Sequence, residues 1–372
     1  MKNKGGLVPQ VTEAMCPRDS AGRPIISGHA DVVMAATNPT LFSNAVSNHL
    51  QIPNGLDGIE HRAFRGIIDP FFTAEKLAPL ASGLEDLATE LLNGLVQTQD
   101  SFDAVSDLGA RYSVRAQSLW LGWSPAYEDE LLQWVEDNRA ATRSGDRSQT
   151  AEVAERFDQI IHALLDERRV NVTPEAPRDV TEELMSVQTA DGKTLTDEQL
   201  VSILRNWTGG DLSSVALCVG VVVHWLATHP AHRDHIIAAS DEQLDRIIDE
   251  ILRLDDPFVS NRRIATRETE VNGCPVHQGE QVVLDWRRAN RDSEVITDEA
   301  SFDPDGHAAA NLVYGNGPHV CPGRPLATLE LRVLVRALLN VGHVSLDESE
   351  SPVREEAPVA GYRSLKVRVT QI

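Results

Sequence analysis

The segment Tyr314-Gly315-Asn316-Gly317-Pro318-His319-Val320-Cys321-Pro322-Gly323 places one cysteine at the end of a glycine-rich loop, directly before an apolar helical stretch. Its glycines permit a tight turn in which backbone N–H groups approach the cysteine sulfur. A helix is predicted from about Pro325 to Val341, because a proline suits the first turn and apolar residues follow at helical spacing. The positive end of this helix points toward Cys321. These surroundings favour the thiolate, the form of cysteine that ligates metals.

Two common phosphate-binding patterns do not fit this loop. No Gly-Lys-Ser or Gly-Lys-Thr follows it, and the pair Gly315 and Gly317 lacks the third glycine of the dinucleotide pattern. A lone cysteine is most often an ordinary buried thiol. The complete pattern instead favours Cys321 as a metal ligand over Cys321 as a packed side chain.

Residues 314–327 resemble the cysteine-ligand loop of the haem-thiolate monooxygenases, the cytochrome P-450 superfamily. The resemblance implies a mainly α-helical fold with a small β-rich lobe, in which haem b lies between a long central helix and the cysteine-loop helix. It also implies that Cys321 is the proximal iron ligand, whose thiolate favours cleavage of the O–O bond. His319 occupies a position that reaches a haem propionate in this family, while Tyr314 departs mildly from the usual phenylalanine.

Other basic residues match the propionate-binding positions of the family. His61 and Arg65 lie one helical turn apart, so both can address the same anion. Arg263 matches the strand arginine that usually joins them, although Arg262 beside it leaves the register open. An arginine suits this role because its planar fork can pair with a carboxylate through two hydrogen bonds. The resemblance therefore implies a propionate site made of His61, Arg65, Arg263 and His319.

A Glu-x-x-Arg pair, Glu250 and Arg253, precedes the cysteine loop by about 70 residues. In isolation such a pair is usually solvated. The resemblance implies instead that it braces the structure behind the haem. The family completes this brace with an arginine in a Phe-Asp-x-x-Arg pattern, but here residues 302–305 are followed by Gly306 and His307. His307 is therefore predicted to be an imperfect substitute for the missing arginine.

A long helix is predicted from about Leu200 to Ala227, where the family's central helix crosses the distal haem face with a small-Gly-x-acid-Thr pattern. In that pattern the acid and the alcohol relay protons to dioxygen. If the pattern starts at residue 209, Gly210 fits and Ser213 replaces the threonine, but Leu212 stands where the acid belongs. If it starts at residue 208, Asp211 fits as the acid and Leu212 displaces the alcohol.

Two interpretations of this helix therefore remain open. Asp211 and Ser214 lie three residues apart and can form a displaced relay on one helix face. Alternatively, Asp211 points to solvent and Ser213 works through water. The displaced relay is slightly favoured, and the predicted catalytic residues are Asp211, Ser213 and Ser214.

The segments 121–123, 133–142 and 206–211 are also similar to a bacterial group that includes self-sufficient monooxygenases and aromatic ether demethylases. The resemblance implies insertion of one oxygen atom into a small organic substrate, by hydroxylation or oxidative O-demethylation. Substrate-facing residues are expected on the central helix near Trp207, around Phe258 to Ser260, and around Val359 to Tyr362. A peroxide-using peroxygenase is the alternative, although that subgroup carries Arg-Pro at positions 213–214. A non-catalytic haem sensor would leave the distal glycines and hydroxyls without a role.

The chain has 372 residues and a formal net charge of −22. Its length can bury a large core and a haem, and no linker or repeat divides it, so one domain over residues 1–372 is expected. The net charge argues against nucleic acid as a partner. No apolar run is long enough to cross a membrane and no secretory signal begins the chain, so a cytoplasmic protein without a membrane anchor is expected.

Electrons must then come from a separate partner, because no flavin or iron–sulfur module is expected before the end of the chain at Ile372. A ferredoxin or flavodoxin with its NAD(P)H reductase is the implied source. A basic docking patch for such an acidic carrier is predicted at Arg62, Arg324, Arg332 and Arg336, with an ordinary solvated helix face as the alternative.

Cysteine spacing gives one further expectation. Cys16, Cys218, Cys274 and Cys321 are widely separated and contain no Cys-x-x-Cys pair. Neither a zinc site nor a disulfide framework is therefore predicted.

Overall fold

The structure is a computed structural model that describes residues 16–170 and 178–371. Helices dominate it. In chain order they are α1 (His29–Thr37), α2 (Gly58–Ile68), α3 (Ala74–Leu77), α4 (Ala81–Thr98), α5 (Arg111–Leu121), α6 (Glu128–Ser144), α7 (Arg147–Val170), α8 (Val180–Ser186), α9 (Asp197–Thr228), α10 (Arg233–Ala238), α11 (Asp241–Leu254), α12 (Trp286–Ala289) and α13 (Arg324–Val341).

The strands are short. They are β1 (Ile25–Ile26), β2 (Phe42–Ser43), β3 (Phe102–Asp103), β4 (Ser260–Ala265), β5 (Thr269–Val271), β6 (Cys274–Val276), β7 (Gln281–Asp285), β8 (Gly342–Leu346), β9 (Val353–Arg354), β10 (Tyr362–Ser364) and β11 (Lys366–Gln371). One sheet has the order β1-β7-β4-β2 and a second has the order β3-β11-β8. Two hairpins, β5-β6 and β9-β10, complete the β structure. The first sheet encloses a small apolar cluster of its own, separate from the large helical core.

The long central helix α9 lies in the middle of the helical core. Thr196 and Gln199 form a reciprocal capping box at its beginning, so the helix starts three residues before the predicted Leu200. Apolar residues surround most of its circumference, and it packs against α5, α7, α11 and α13. A helix that is apolar on all sides is stable only when other elements cover it. This burial fixes the position of α9 relative to the cysteine loop.

Helix α9 is also the one helix among the described residues that is long and apolar enough to cross a membrane. Two thirds of its most apolar window, 67%, is covered by the rest of the protein. The core helix of a globular protein has this pattern, and the large apolar cluster around α9 accounts for its composition.

A buried ion pair joins α11 to the segment before the cysteine loop. Arg253 donates to both carboxylate oxygens of Glu250, at 2.7 and 2.9 Å, and also donates to backbone carbonyls of Asn290, Glu299 and Ser301. Both side chains are almost fully buried. His307 Nδ1 lies 2.8 Å from Glu250 Oε1. The structure thus places His307 in the position predicted for it, and the pair is part of the core.

The expectation about disulfides was wrong in one respect. A disulfide joins Cys16 to Cys274 on β6, with the two Cα atoms 5.0 Å apart. The two residues are separated by 258 positions, so only the folded chain brings them together. Cys218 and Cys321 are free, and the described residues contain no cluster of histidine, cysteine or acidic side chains that could hold a metal ion.

Candidate functional site

The cysteine loop has the tight geometry that its glycines predict. Gly315 and Gly317 adopt φ angles of +75° and +74°, and a Cβ at Gly317 would lie only 2.8 Å from the carbonyl oxygen of Ala36. The Cys321 N–H donates to the Tyr314 carbonyl at 3.0 Å. Arg65 adds a second constraint, because its Nη1 donates to two carbonyl oxygens of the loop at 2.9 Å each. The position of Cys321 is therefore fixed by backbone hydrogen bonds and by α2.

Cys321 has accessible surface although protein atoms surround it on most sides, as expected for a side chain that faces a cleft. Burial raises the pKa of its thiol, and the charge of Asp211 acts in the same direction. Backbone N–H groups of Gly323 and Arg324 and the charge of Arg65 oppose this shift but do not reverse it. The protein alone therefore does not stabilise the thiolate as the sequence suggested. A coordinated metal cation deprotonates a thiol outright.

Three of the four predicted propionate-binding residues lie together. The rings of His61 and His319 are 3.9 Å apart, and Arg263 of β4 is buried near Asp57 beside them. Burial, with the charges of His319 and Arg65, lowers the pKa of His61 to about 4. Burial also lowers the pKa of Arg263 to about 10, although Asp57 opposes this shift.

These residues present nitrogens without acceptors. His61 Nε2 and Arg263 Nε are buried and have no hydrogen-bond partner, and His319 Nε2 has only a long contact of 3.4 Å with Asp57. An unsatisfied buried donor costs about 1 to 3 kcal/mol. The two carboxylates of a haem are acceptors of the required charge and number. The chemistry of this donor set fits the cofactor implied by the sequence.

Arg65 has a different set of partners. Its Nε is 2.5 Å from Asp69 Oδ1, one helical turn further along, and its Nη1 is committed to the carbonyls of the cysteine loop. In the structure Arg65 therefore supports the loop, and a propionate contact through its remaining nitrogen stays a prediction.

The distal side of the predicted site is formed by α9. At Gly209 an added Cβ would touch Phe157 and Trp134 at 3.5 Å, whereas at Gly210 it would meet no atom within 4 Å. Gly209 thus packs against α6 and α7, and Gly210 faces open space. The charge of Asp211 contributes to the raised pKa of the Cys321 thiol, so this part of α9 is within electrostatic range of Cys321.

The predicted relay residues on α9 are not joined to one another by hydrogen bonds. Gln117 of α5 donates through Nε2 to Asp211 Oδ2. Ser213 Oγ has a long contact of 3.4 Å with Asn138 Nδ2 of α6. Asp211 therefore turns toward α5, whereas the second interpretation pointed it to bulk solvent; the relay through Ser213 and water stays a prediction. Whether Ser213 or Ser214 serves as the relay hydroxyl stays a prediction.

A second buried acid, Glu330 of α13, was missed by the sequence analysis. It has no accessible surface and neither carboxylate oxygen has a hydrogen-bond partner. Burial raises the pKa of Glu330 well above its usual range, and the nearby charge of Asp211 raises it further. Burial likewise raises the pKa of Asp211 to about 7, against a hydrogen bond from Gln117. The sequence contained a signal for Glu330, because this acid interrupts an otherwise apolar face of α13. It contained no signal for Gln117.

Because the pKa of Asp211 is raised, removing its charge should increase the free energy of unfolding by an amount that depends on pH. The folded protein binds a proton at Asp211 up to about pH 7, whereas an unfolded aspartate releases it near pH 4. This site therefore lowers the free energy of unfolding as pH rises from 4 to 7. Asp211→Asn, neutral at every pH, should be close to wild type at pH 4 and more stable than wild type at pH 8.

Urea unfolding followed by circular dichroism at several pH values measures this difference. Asp100→Asn is the control, because Asp100 is exposed in the turn after α4. Parallel pH profiles for wild type and Asp211→Asn would contradict the assignment of a buried, proton-binding carboxyl.

The segments expected to face a substrate converge in part. The Ala360 N–H donates to the Pro257 carbonyl at 3.0 Å, and Gly361 lies against Val221 of α9. This contact brings the loop before β10 beside the segment that begins at Phe258. Trp207 is buried in an aromatic cluster with Phe71, Phe72 and Trp120, and the expectation that α9 faces a substrate near it stays a prediction.

The predicted basic docking patch is largely neutralised. Its arginines on α13 pair with acidic side chains of α11: Arg324 with Asp249 at 2.6 Å, Arg332 with Asp245 at 2.6 Å and Arg336 with Asp241 at 2.8 Å. These pairs form because α11 and α13 pack against each other. A net positive patch is therefore not formed by these three residues.

Comparison with known proteins agrees with this geometry. The sequence model of the cytochrome P450 family matches residues 141–367. The chain is 29% identical over 346 residues to erythromycin C-12 hydroxylase of Saccharopolyspora erythraea, covering 91% of this chain and 85% of that protein. It is 27% identical to a steroid C26-monooxygenase of Mycobacterium tuberculosis, covering 95% of this chain and 96% of that protein.

Solved structures confirm the predicted fold class. The open form of cytochrome P450 EryK from S. erythraea superposes with a TM-score of 0.85 at 26% identity, covering 96% of this chain and 93% of that one. The long central helix, the cysteine loop and the small sheets thus form a known arrangement. The chain belongs to the cytochrome P450 family of monooxygenases, whose cofactor is haem b.

Proposed function

We propose that this protein inserts one oxygen atom into a small organic substrate, and that the Cys321 thiolate would hold the iron of its haem. The observation that carries the proposal is the position of Cys321, held by Arg65 and backbone hydrogen bonds within electrostatic range of Asp211 on α9. When bound, the haem supplies dioxygen activation and the electron-transfer chemistry. The protein supplies position, protons and exclusion of water.

His61, Arg263 and His319 would hold the propionates, and Arg65 would hold the cysteine loop. The open space beside Gly210 would let the cofactor and a small ligand approach the α9 backbone. Asp211 is suited to hold or release a proton near neutral pH, since its pKa is raised to about 7. Ser213 or Ser214 would pass that proton onward.

The substrate class is proposed from the sequence and from the relatives. Hydroxylation or oxidative O-demethylation of a small aromatic or ether compound is the proposed reaction. The relatives are named for oxidations of erythromycin and of a steroid, which supports hydroxylation as a reaction of such chains. We further propose one haem domain over residues 1–372, a cytoplasmic location, and a ferredoxin or flavodoxin with its NAD(P)H reductase as electron source.

Reconstituted turnover tests the proposed function. A library of small organic compounds would be screened for binding to the haem protein, and hits would be incubated with NAD(P)H, reductase and ferredoxin, or with hydrogen peroxide alone. Product that depends on NAD(P)H supports the monooxygenase. Product formed with peroxide alone would instead favour the peroxygenase, and no oxidation of any compound would favour a haem sensor.

Replacing Arg263 with alanine should weaken haem retention. Arg263 Nε is a buried donor without a protein partner, so we expect it to contribute a charge-assisted hydrogen bond to a propionate, and its loss should speed haem release roughly tenfold or more. Transfer of haem to excess apomyoglobin measures the rate. Arg262→Ala on the exposed face of the same strand is the matched control and should behave like wild type. Equal rates for the two variants would remove Arg263 from the propionate site.

The relay predicts different effects for three substitutions on α9. Asp211→Asn keeps the shape of the side chain but removes its proton exchange, so oxygen activation should slow while substrate binding stays nearly unchanged. Of Ser213→Ala and Ser214→Ala, the one that removes the relay hydroxyl should release more hydrogen peroxide and yield less product per NAD(P)H. The measurement is product formed per NAD(P)H oxidised. Wild-type coupling in all three variants would show that the relay uses water or substrate groups alone.

A further inference from the structure

Two nitrogens of the Arg139 guanidinium on α6 are buried and unpaired. Nε and Nη2 are both shielded from solvent, and among the described residues no acceptor lies within hydrogen-bond distance of either atom. Burial lowers the pKa of this guanidinium, with the charges of Glu136, Glu355 and Asp103 opposing and that of Arg143 assisting. A buried donor without an acceptor is costly to the fold. An acceptor supplied by a bound ligand would remove this cost.

The acidic groups around Arg139 are already occupied. Glu355 receives Arg143 at 3.2 Å and the Glu356 N–H at 3.0 Å. Asp103 accepts hydrogen bonds from the N–H groups of Val105, Ser106 and Leu365 and from the Ser364 hydroxyl. Glu136 is largely exposed and has a contact of 3.5 Å with Arg143. None of these acids lies within hydrogen-bond distance of Arg139 Nε or Nη2.

The neighbours of Arg139 along α6 show where its side chain lies. One residue before it, Asn138 contacts Ser213 of α9. One turn after it, Arg143 contacts Glu355, which begins the loop that leads to Ala360 and its hydrogen bond with the Pro257 carbonyl. Residues one turn apart share a helix face. Arg139 is therefore placed between the relay segment of α9 and the loop segments expected to face the substrate.

We propose that Arg139 binds a carboxylate group of the substrate through its Nε and Nη2 edge. These two nitrogens donate in the same direction and match the two oxygens of a carboxylate, which gives a bidentate, charge-assisted pair. The inference rests on the proposed monooxygenase function and narrows its substrate to small organic acids that are apolar away from the carboxylate. Arg139 would orient the substrate and take no part in the oxidation.

Calorimetric titration of the haem protein tests the proposal without turnover. The probes are benzoate, 1-naphthoate and dodecanoate, each compared with its uncharged primary amide at pH 7.5. For at least one pair we expect wild type to bind the carboxylate roughly ten- to a hundredfold more tightly than the amide. Arg139→Gln should remove this preference and leave amide binding unchanged. Arg139→Lys should lose most of it, because an ammonium group cannot form the bidentate pair.

Arg156→Gln is the matched control, since Arg156 lies on α7, is partly exposed and is already paired with Asp137 at 2.7 Å. Thermal unfolding without probe separates substrate binding from a structural role: Arg139→Gln should unfold at the wild-type temperature or above it, because it removes buried N–H donors that have no acceptor. No carboxylate preference in wild type, a preference retained in Arg139→Gln, or a marked loss of stability in that variant would each overturn the inference.

These experiments distinguish failure of the Arg139 inference from failure of the proposed monooxygenase function. Carboxylates that bind through Arg139 but are not oxidised with NAD(P)H and ferredoxin would contradict the monooxygenase and keep the inference. NAD(P)H-dependent oxidation of neutral compounds without any carboxylate preference would keep the monooxygenase and overturn the inference.

Discussion

Replacing Cys321 with alanine should abolish both the thiolate spectral signature and monooxygenation. In wild type, the reduced protein with carbon monoxide should show the red-shifted Soret band of a thiolate-ligated haem, because the sulfur donates electron density to the iron. Alanine offers no ligand. Cys321→His should change the band in another way, since a neutral imidazole can ligate iron without donating the same charge. Absorption spectra and product analysis on the same preparations measure both effects.

Cys218→Ala is the control for this substitution. Cys218 is the other free cysteine among the described residues and is buried on α9, where burial raises the pKa of its thiol well above the usual range. Its replacement should leave the thiolate band in place. A red-shifted band retained in Cys321→Ala, or lost in Cys218→Ala, would show that the ligand had been assigned to the wrong cysteine.

Replacing Glu250 with alanine should destabilise the fold by about 3 to 5 kcal/mol, since it leaves a fully buried cation without its counter-ion. Arg253 has no accessible surface and binds both oxygens of Glu250. The substitution also removes the acceptor of His307 and of the Asp303 N–H. Chemical unfolding monitored by circular dichroism and by haem absorbance measures the loss.

Arg246→Ala provides a matched comparison on the same helix. Arg246 of α11 pairs with Asp305 in the same segment that contains His307, but both side chains are exposed, at 40% and 82%. An exposed pair contributes at most about 1 kcal/mol. Similar losses for Glu250→Ala and Arg246→Ala would contradict the view that burial makes the Glu250 pair important.

His307 illustrates how far the sequence could be used. The Glu250 and Arg253 pair was recognisable from its spacing, and the missing arginine was visible as Gly306 and His307. The sequence could suggest His307 as a substitute, but only the structure shows its Nδ1 2.8 Å from Glu250 Oε1. The path of the chain between residues 254 and 307 determines that distance, and no local pattern encodes it.

For the relay segment of α9, by contrast, the sequence left two interpretations open. Its glycines, acid and serines were identifiable as a group, yet their spacing supported two registers. The structure shows that Asp211 is hydrogen bonded to Gln117 on α5 and does not point to bulk solvent, but it does not choose between the registers. The packing of three helices determines which side of α9 meets which neighbour. The family pattern alone does not determine this, because its residues are irregularly spaced in this chain.

The cysteine loop, the helix after it and the long central helix were recognisable from the sequence alone. Each depends on residues close together in the chain, where glycine conformation, helical spacing and capping act locally. Four features became apparent only in the folded protein: the disulfide between Cys16 and Cys274, the surroundings of the acids Asp211 and Glu330, the pairing of the α13 arginines with α11, and the unpaired nitrogens of Arg139. These depend on which distant side chains share a low-dielectric interior, because there a charge is stabilised or destabilised by whatever partner the packing places within reach.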